Sequence, residues 1–272
     1  VIRFDSVAKT YGESVAVEDF SLDIEEAAIT VLVGSSGSGK TTLLRMINRM
    51  VEPTSGRVLI DGRDVAEQDP VRLRRGIGYV MQNGGLLPHR TVVDNVATVP
   101  LLTGAGREAA RARARELIEL VGLDVDAVAG RYPAQLSGGQ QQRVGVARAL
   151  AAESGVLLMD EPFAAVDPIV RRDLQEEVRR LHRDLGRTIV FVTHDIDEAL
   201  GLGDRVVLLG DRGRIAQVGA PADFVERPAD DFVARFIGVD RRRLSVAGDR
   251  VVDRGGRVVG MLDDAEGGGG AR

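Results

Sequence analysis

The sequence predicts an α/β protein built on a mostly parallel sheet, and three features predict it. A continuous β-branched run, Ile29-Thr30-Val31-Leu32-Val33, leads into a glycine-rich loop and then into a helix-forming stretch. Two more short apolar runs, Val156 to Met159 and Thr188 to Thr193, are separated by a segment of helical periodicity. Such runs suit strands buried on both faces, and strands alternating with helices imply parallel neighbours. With 272 residues, the chain can bury the core of one large domain and carry a short appendage.

Taken in order, residues 1–24 mix short alternating apolar runs with turn residues such as Tyr11-Gly12, which predicts antiparallel strands. The buried strand 29–33 and its glycine loop follow, and Thr41 to Met50 has helical spacing without a breaker. The block from about Leu86 to Gln140 offers no convincing strand and is expected as a helical insertion. Within it, Arg107 to Val121 sets Ala114, Leu117, Ile118 and Val121 on one face, with arginines and glutamates on the other as a solvated surface or a docking face. Pro168 suits the first position of a helix striped by Val170, Leu174, Val178, Leu181 and Leu185. Val206 to Leu209 and Ile215 to Val218 read as strands joined by Asp211-Arg212-Gly213. Beyond residue 240 the pattern decays into an arginine run (Arg241 to Arg243), a candidate hairpin over 251–262 and the glycine run 267–270, expected to lack order.

Composition narrows the function classes. A net charge of −5 argues against a nucleic-acid partner. The absence of cysteine excludes disulfides and thiolate metal sites, and three histidines (89, 182 and 194) argue against a histidine-rich centre. No 18-residue apolar run and no signal-peptide layout are seen, so the chain is expected in the cytoplasm, with other chains supplying any membrane part.

The chemistry concentrates in three ordered motifs. Gly34-Ser35-Ser36-Gly37-Ser38-Gly39-Lys40-Thr41, followed by Thr42, reads as a phosphate cradle between strand and helix. Its glycines let the backbone wrap anionic oxygens, Lys40 adds a point charge, and the Thr41 hydroxyl is placed to ligate Mg²⁺. Leu136-Ser137-Gly138-Gly139-Gln140 opens a helix, where Ser137 can act as an N-cap or the glycine pair can face a second anion. Val156 to Pro162 delivers Asp160 and Glu161 at the end of a buried strand. Asp160 suits a Mg²⁺ carboxylate and Glu161 a general base for an attacking water; a carboxylate pair feeding a turn is the duller reading.

In this order the motifs resemble the ATP-binding subunit of ABC transporters over about residues 1 to 240. The resemblance implies a P-loop NTPase (RecA-like) core with an N-terminal antiparallel β subdomain and a helical subdomain inserted at about 86–140. It implies ATP and Mg²⁺ as cofactors, Gln82 as a sensor of Mg²⁺ and the γ-phosphate, Tyr11 stacked on adenine, and His194 at the γ-phosphate. Asp167 would lie in a loop that crosses to a second copy. Taken singly, Tyr11 could be a turn aromatic, Gln82 a loop residue and His194 a strand-end histidine. Two copies would sandwich two ATP molecules, Ser137 and Gly139 of one closing on the nucleotide of the other. Ala28 departs from the family, where glycine is common.

Within the family, Met46 to Gly56, Leu86 to Val96, Thr193 to Leu200 and Pro228 to Gly238 are most similar to importers of quaternary amines such as glycine betaine, choline and carnitine. Amino-acid importers share much of this pattern, and a soluble ABC ATPase of assembly or repair would share every catalytic residue. An importer implies integral membrane permease subunits, an extracytoplasmic solute-binding protein acting indirectly, and residence at the cytoplasmic face of the membrane. His89 would then face the permease, or be a capped surface histidine. Residues 251–262 resemble one strand–turn–strand of a CBS module, as a remnant or a chance hairpin.

Overall fold

Three apolar runs lie side by side in the computed structural model, which describes residues 1–82, 84–152, 154–164, 166, 168–238, 245–247, 250–252 and 258–261. They become β3 (Ile29–Gly34), β7 (Val156–Asp160) and β8 (Thr188–Thr193) of a six-stranded sheet. In chain order, β1 (Ile2–Tyr11) and β2 (Ser14–Ile24) precede β3. Then come α1 (Lys40–Ile47), β4 (Ser55–Ile60), β5 (Arg63–Asp64), α2 (Pro70–Arg75) and β6 (Ile77–Val80). The helices α3 (Val92–Val96), α4 (Thr98–Leu102), α5 (Arg107–Leu120), α6 (Val125–Val128) and α7 (Gly138–Leu150) follow. After β7 and α8 (Pro168–Leu185) come β8, α9 (Ile196–Leu202), β9 (Arg205–Leu209) and β10 (Ile215–Gly219).

The large sheet has the order β10-β9-β3-β8-β7-β6. All its pairs are parallel except the β9–β10 edge hairpin. Every residue of β3 and β8 is buried, as continuous apolar runs require of strands covered on both sides. This is the P-loop NTPase architecture. A second sheet, β2-β1-β4-β5, is antiparallel, and its alternating burial presses Ile2, Phe4, Val17, Phe20, Ile24 and Val58 into a core shared with Leu32, Leu43 and Leu44.

No strand interrupts 86–140. Here α5 buries Ala110, Ala114, Leu117 and Ile118, while Arg111 pairs with Asp94 and Arg115 with Asp126 at the surface. Asn95 is fully buried and satisfies the carbonyls of Leu87, Arg90 and Thr91, which pins the entry into this helical region. The helix expected over 41–50 stops at Ile47 instead. Asn48 Oδ1 accepts from the Met50 N–H at 3.1 Å, and Arg49 turns into the left-handed region with φ +55°. In α8, Leu174 and Val178 of the expected stripe are buried; the side chains of Val170, Leu181 and Leu185 lie outside the described ones.

Compactness divides the chain into units 1–221 and 222–272, ahead of the boundary expected near 240. The second unit contains most of α10 (Pro221–Glu226), α11 (Asp231–Ile237) and a small antiparallel sheet of β11 (Ser245–Ala247), β12 (Arg250–Val252) and β13 (Val258–Met261). The β12–β13 pair corresponds to the expected hairpin. The arginine run 241–243 and the glycine run 267–270 lie outside the described residues. No helix among the described residues is long and apolar enough to cross a membrane.

Candidate functional site

The C-terminal ends of β3, β8 and β7 point the same way, and each releases a functional segment there. Gly34 ends β3 because a side chain could not fit: a Cβ there would sit 2.4 Å from the Leu209 carbonyl oxygen. The loop over 35–39 returns to cap α1 with Gly39 at φ +91°, again a position that disfavours side chains. The first helical bond runs from the Leu43 N–H to the Gly39 carbonyl at 2.9 Å. The N–H groups of Lys40, Thr41 and Thr42 therefore precede the helical ladder and remain available at its positive end.

Lys40 is 5% exposed. Its ammonium donates to the Gly34 carbonyl at 2.8 Å, the Ser35 carbonyl at 2.7 Å and Ser38 Oγ at 3.3 Å. Burial lowers its pKa, opposed by the nearby charges of Glu161 and Asp160. The loop thus holds a desolvated cation beneath a ring of exposed backbone, an arrangement that can bind anionic oxygens.

Asp160, at the end of β7, is fully buried. The sequence marks it as a Mg²⁺ carboxylate; the structure also gives it three side-chain donors. Thr41 Oγ1 donates to Oδ1 at 2.8 Å, while the Tyr79 hydroxyl at 3.2 Å and Arg45 Nη2 at 3.3 Å reach Oδ2. Arg45 also donates to the Tyr79 oxygen at 3.4 Å. Burial raises the Tyr79 pKa, so its phenol stays a neutral donor.

Glu161 follows in the left-handed region, with φ +44° for a non-glycine residue, its N–H held by the Val192 carbonyl at 3.0 Å. This turn swings the carboxylate out of the sheet. Gln82 Nε2 donates to Oε2 at 3.1 Å, and His194 Nδ1 lies 3.3 Å from the same oxygen. Ala16, Ser36, Gly37, Gly39, Lys40, Thr41, Thr42, Gln82, Glu161 and His194 together line one cleft. An exposed histidine, an amide and a carboxylate facing a phosphate-type loop can orient a water for in-line attack.

The loop bearing His194 is fastened on both sides. Thr193 Oγ1 donates to the buried Glu198 at 2.6 Å and accepts from the Asp195 N–H at 3.0 Å. Asp195 caps α9 through the N–H groups of Asp197 and Glu198. Burial raises the Glu198 pKa despite the Thr193 bond.

The remaining expected residues are elsewhere. Ser137 caps α7, accepting from the Gln140 N–H at 3.2 Å while Gln140 Oε1 accepts from the Ser137 N–H at 3.0 Å. With Gly139 they line a different cleft, shared with Gly122, Asp124, Arg131 and Arg143. Within one chain, then, the Ser137–Gln140 group does not join the Lys40 cleft. Tyr11 is 51% exposed at the end of β1, with Lys9 Nζ 5.0 Å from its ring centre. Asp167 lies outside the described residues. Sequence reasoning missed Arg45, Tyr79 and Glu198. Only Arg45 carried a usable signal, being one helical turn from Thr41 on the same face.

This sheet order, with a glycine loop after β3 and paired carboxylates at the end of β7, is that of an ATP-binding cassette. The ABC transporter family profile matches residues 17–164, and the chain belongs to that family. It is 50% identical over 242 residues to the carnitine transport ATP-binding protein OpuCA of Listeria monocytogenes, an alignment covering 89% of this chain and 60% of that protein. It is 52% identical to the glycine betaine uptake system ATP-binding protein YehX of Escherichia coli (strain K12), covering 88% of this chain and 77% of that protein. The chain spans about 60% of the length of the OpuCA relatives it matches. Among solved structures, the dimeric post-hydrolysis state of the ATP-binding cassette MJ0796 bound to ADP and Pi superposes with a TM-score of 0.76 at 34% identity, covering 81% of this chain and 99% of that one.

Proposed function

We propose that this chain is the ATP-hydrolysing subunit of an importer for quaternary amine osmoprotectants, acting at the cytoplasmic face of the membrane. The observation that carries the chemistry is the Glu161 carboxylate, aimed into the Lys40 cleft and held by Gln82 and His194. The triphosphate lies over the loop 34–42, where backbone N–H groups and Lys40 offset its charge. Glu161 would accept a proton from the attacking water as the water oxygen bonds to the γ-phosphorus and the bond to the bridging oxygen breaks, releasing phosphate and ADP; His194 and Gln82 fix the direction of the carboxylate's lone pairs. The left-handed turn at Glu161 leaves the carboxylate a short lever from a rigid strand, which limits how far it can stray.

Mg²⁺ fits the donors present. Thr41 Oγ1 and Asp160 Oδ1 are hard oxygens 2.8 Å apart beside the cradle. No group of three or more His, Asp or Glu side chains among the described residues could hold an ion unaided. That suits an ion which takes most of its ligands from phosphate and water. Thr41 and Asp160, with Gln82 nearby, would hold it, and it would neutralise charge developing on the phosphate oxygens.

The separation of the Ser137–Gln140 cleft from the Lys40 cleft supports a site built from two copies, each presenting Ser137 and Gly139 to the nucleotide of the other. ATP then acts by binding the closed pair better than the open one. The names of OpuCA and YehX support carnitine, glycine betaine and related solutes as cargo, and hence permease subunits and a solute-binding protein as partners.

Glu161→Gln tests the core of this reading. It keeps the volume and removes the base, so kcat should fall roughly 10²- to 10⁴-fold while ATP still binds. It should also trap an ATP-dependent dimer in size-exclusion chromatography. Hydrolysis at the wild-type rate would remove Glu161 from the role. Uptake of labelled glycine betaine against amino acids by the reconstituted complex tests the cargo.

A further inference from the structure

Helix α7 has two ends with different neighbours. Ser137 to Gln140 open it beside one cleft. Near the other end, Arg148 reaches the loop that follows β6, donating from Nη1 to the Gly85 carbonyl at 2.7 Å and from Nη2 to the Gly84 carbonyl at 3.0 Å. Burial lowers the pKa of this guanidinium. The guanidinium is half-buried and spends both its prongs on the carbonyls of one turn, so the contact holds that turn against the helix.

What it holds is the loop carrying Gln82. Gly84 and Gly85 both sit at positive φ, +68° and +56°, and a side chain at 85 would collide with the Met81 sulfur. The helix is shaped to receive this loop: a Cβ at Gly145 would lie 3.3 Å from the Gly84 carbonyl oxygen. Two residues before Gly84, Gln82 bonds Glu161. A 13-residue helix of roughly 20 Å therefore joins the Ser137 group to the Gly84–Gly85 turn, which begins two residues beyond Gln82.

We propose that Arg148 is a positioning residue that fastens the Gln82 loop to α7, so that a shift of α7 produced at Ser137–Gln140 is passed to the Gln82–Glu161 contact. A glycine pair alone would be too soft to transmit such a shift; the two-pronged guanidinium makes loop and helix move together. In this way engagement of one nucleotide sets the catalytic geometry around the other. The inference rests on Glu161 as the water-activating carboxylate and on residues 137–140 as a second phosphate contact.

The test is a double-mutant cycle in the full chain, with Arg148→Met and Gln82→Ala made singly and together. Steady-state Mg-ATP hydrolysis is read alongside amide hydrogen exchange in nucleotide-free protein. Arg148→Met should lower kcat roughly tenfold with KM held within about twofold, as expected for the loss of a charged hydrogen-bond pair that acts on geometry. Exchange over 81–87 should quicken while that over 29–33 stays unchanged. The double variant should be no slower than the slower single one. Effects that multiply, or unchanged exchange over 81–87, would overturn the coupling. Should Arg148→Met fail to fold, Gly145→Ala presses a methyl on the Gly84 carbonyl and displaces the same loop; it should show the same epistasis with Gln82→Ala, and multiplication would again overturn the coupling. A wild-type chain without ATPase activity, or an active Glu161→Gln, would instead sink the underlying reading and the coupling with it.

Discussion

Replacing Tyr79 by phenylalanine removes one oxygen and tests whether the buried Asp160 carboxylate depends on its protein donors. Asp160 is 0% exposed. Among the described residues, its Oδ2 receives the Tyr79 hydroxyl at 3.2 Å and Arg45 at 3.3 Å, while Oδ1 keeps Thr41. A hydrogen bond to a charged group contributes about 1.5–3 kcal/mol. The Tyr79 contact is long for its type, so the lower figure applies, about 1.5 kcal/mol. For a chain of this size that is a fall of about 3 °C in Tm. The assay is a thermal melt followed by circular dichroism, with and without Mg-ADP. Bound Mg²⁺ would give Asp160 a replacement partner, so the deficit should shrink in its presence. A Tm change below about 1 °C without nucleotide, or an equal deficit in both conditions, would refute the reasoning.

Lys40→Ala removes the buried ammonium that the cradle is built around and should weaken ATP binding by 2 kcal/mol or more, roughly thirtyfold in Kd; an unaltered titration curve would count against the phosphate-loop assignment. Gly39→Ala forces a Cβ to 2.8 Å from the Ala16 carbonyl oxygen at φ +91°. The strain of about 1–3 kcal/mol should displace the loop and weaken ATP affinity roughly tenfold, and native affinity with native stability would contradict it. Glu198 gives a pH signature. Burial raises its pKa above the ordinary 4.5, so above that pH the folded state holds a proton longer than the unfolded one. Stability is full below the unfolded pKa and lost as pH rises through the folded pKa. Glu198→Gln should therefore gain Tm relative to wild type as pH rises above about 4.5, and a gap that narrows with pH would reverse the sign.

The parallel core was legible because its strands announce themselves locally. Ile29 to Val33 and Thr188 to Thr193 are continuous buried runs, and the glycine loop follows the first without a gap. Strand β6 was not legible: four residues, Ile77 to Val80, are too few to show a period and gain their place only by pairing with β7. The cleft was read in part. Glu161 was marked by its motif and Gln82 and His194 by the family resemblance, but the meeting of Gln82 and His194 on one Glu161 oxygen is a tertiary fact. Tyr79 and Arg148 carry no local signal, because their partners lie 81 residues away at Asp160 and 63 or 64 residues away at Gly85 and Gly84. The helix expected over 41–50 ends early because an asparagine that stops a helix by accepting from the N–H two residues on looks, in sequence, like any polar helix residue.

The shared direction of β3, β8 and β7 makes this protein intolerant of one kind of change in particular. Their starts are aligned, with the Ile189 N–H on the Ala28 carbonyl and the Thr188 N–H on the Gly155 carbonyl. Loss of a single codon inside any of the three would draw its terminal residues back by about 3.3 Å and exchange the two faces of the strand. Length variation between relatives should therefore gather in the connections and spare these three segments, a pattern that a deletion scan of the chain would display directly.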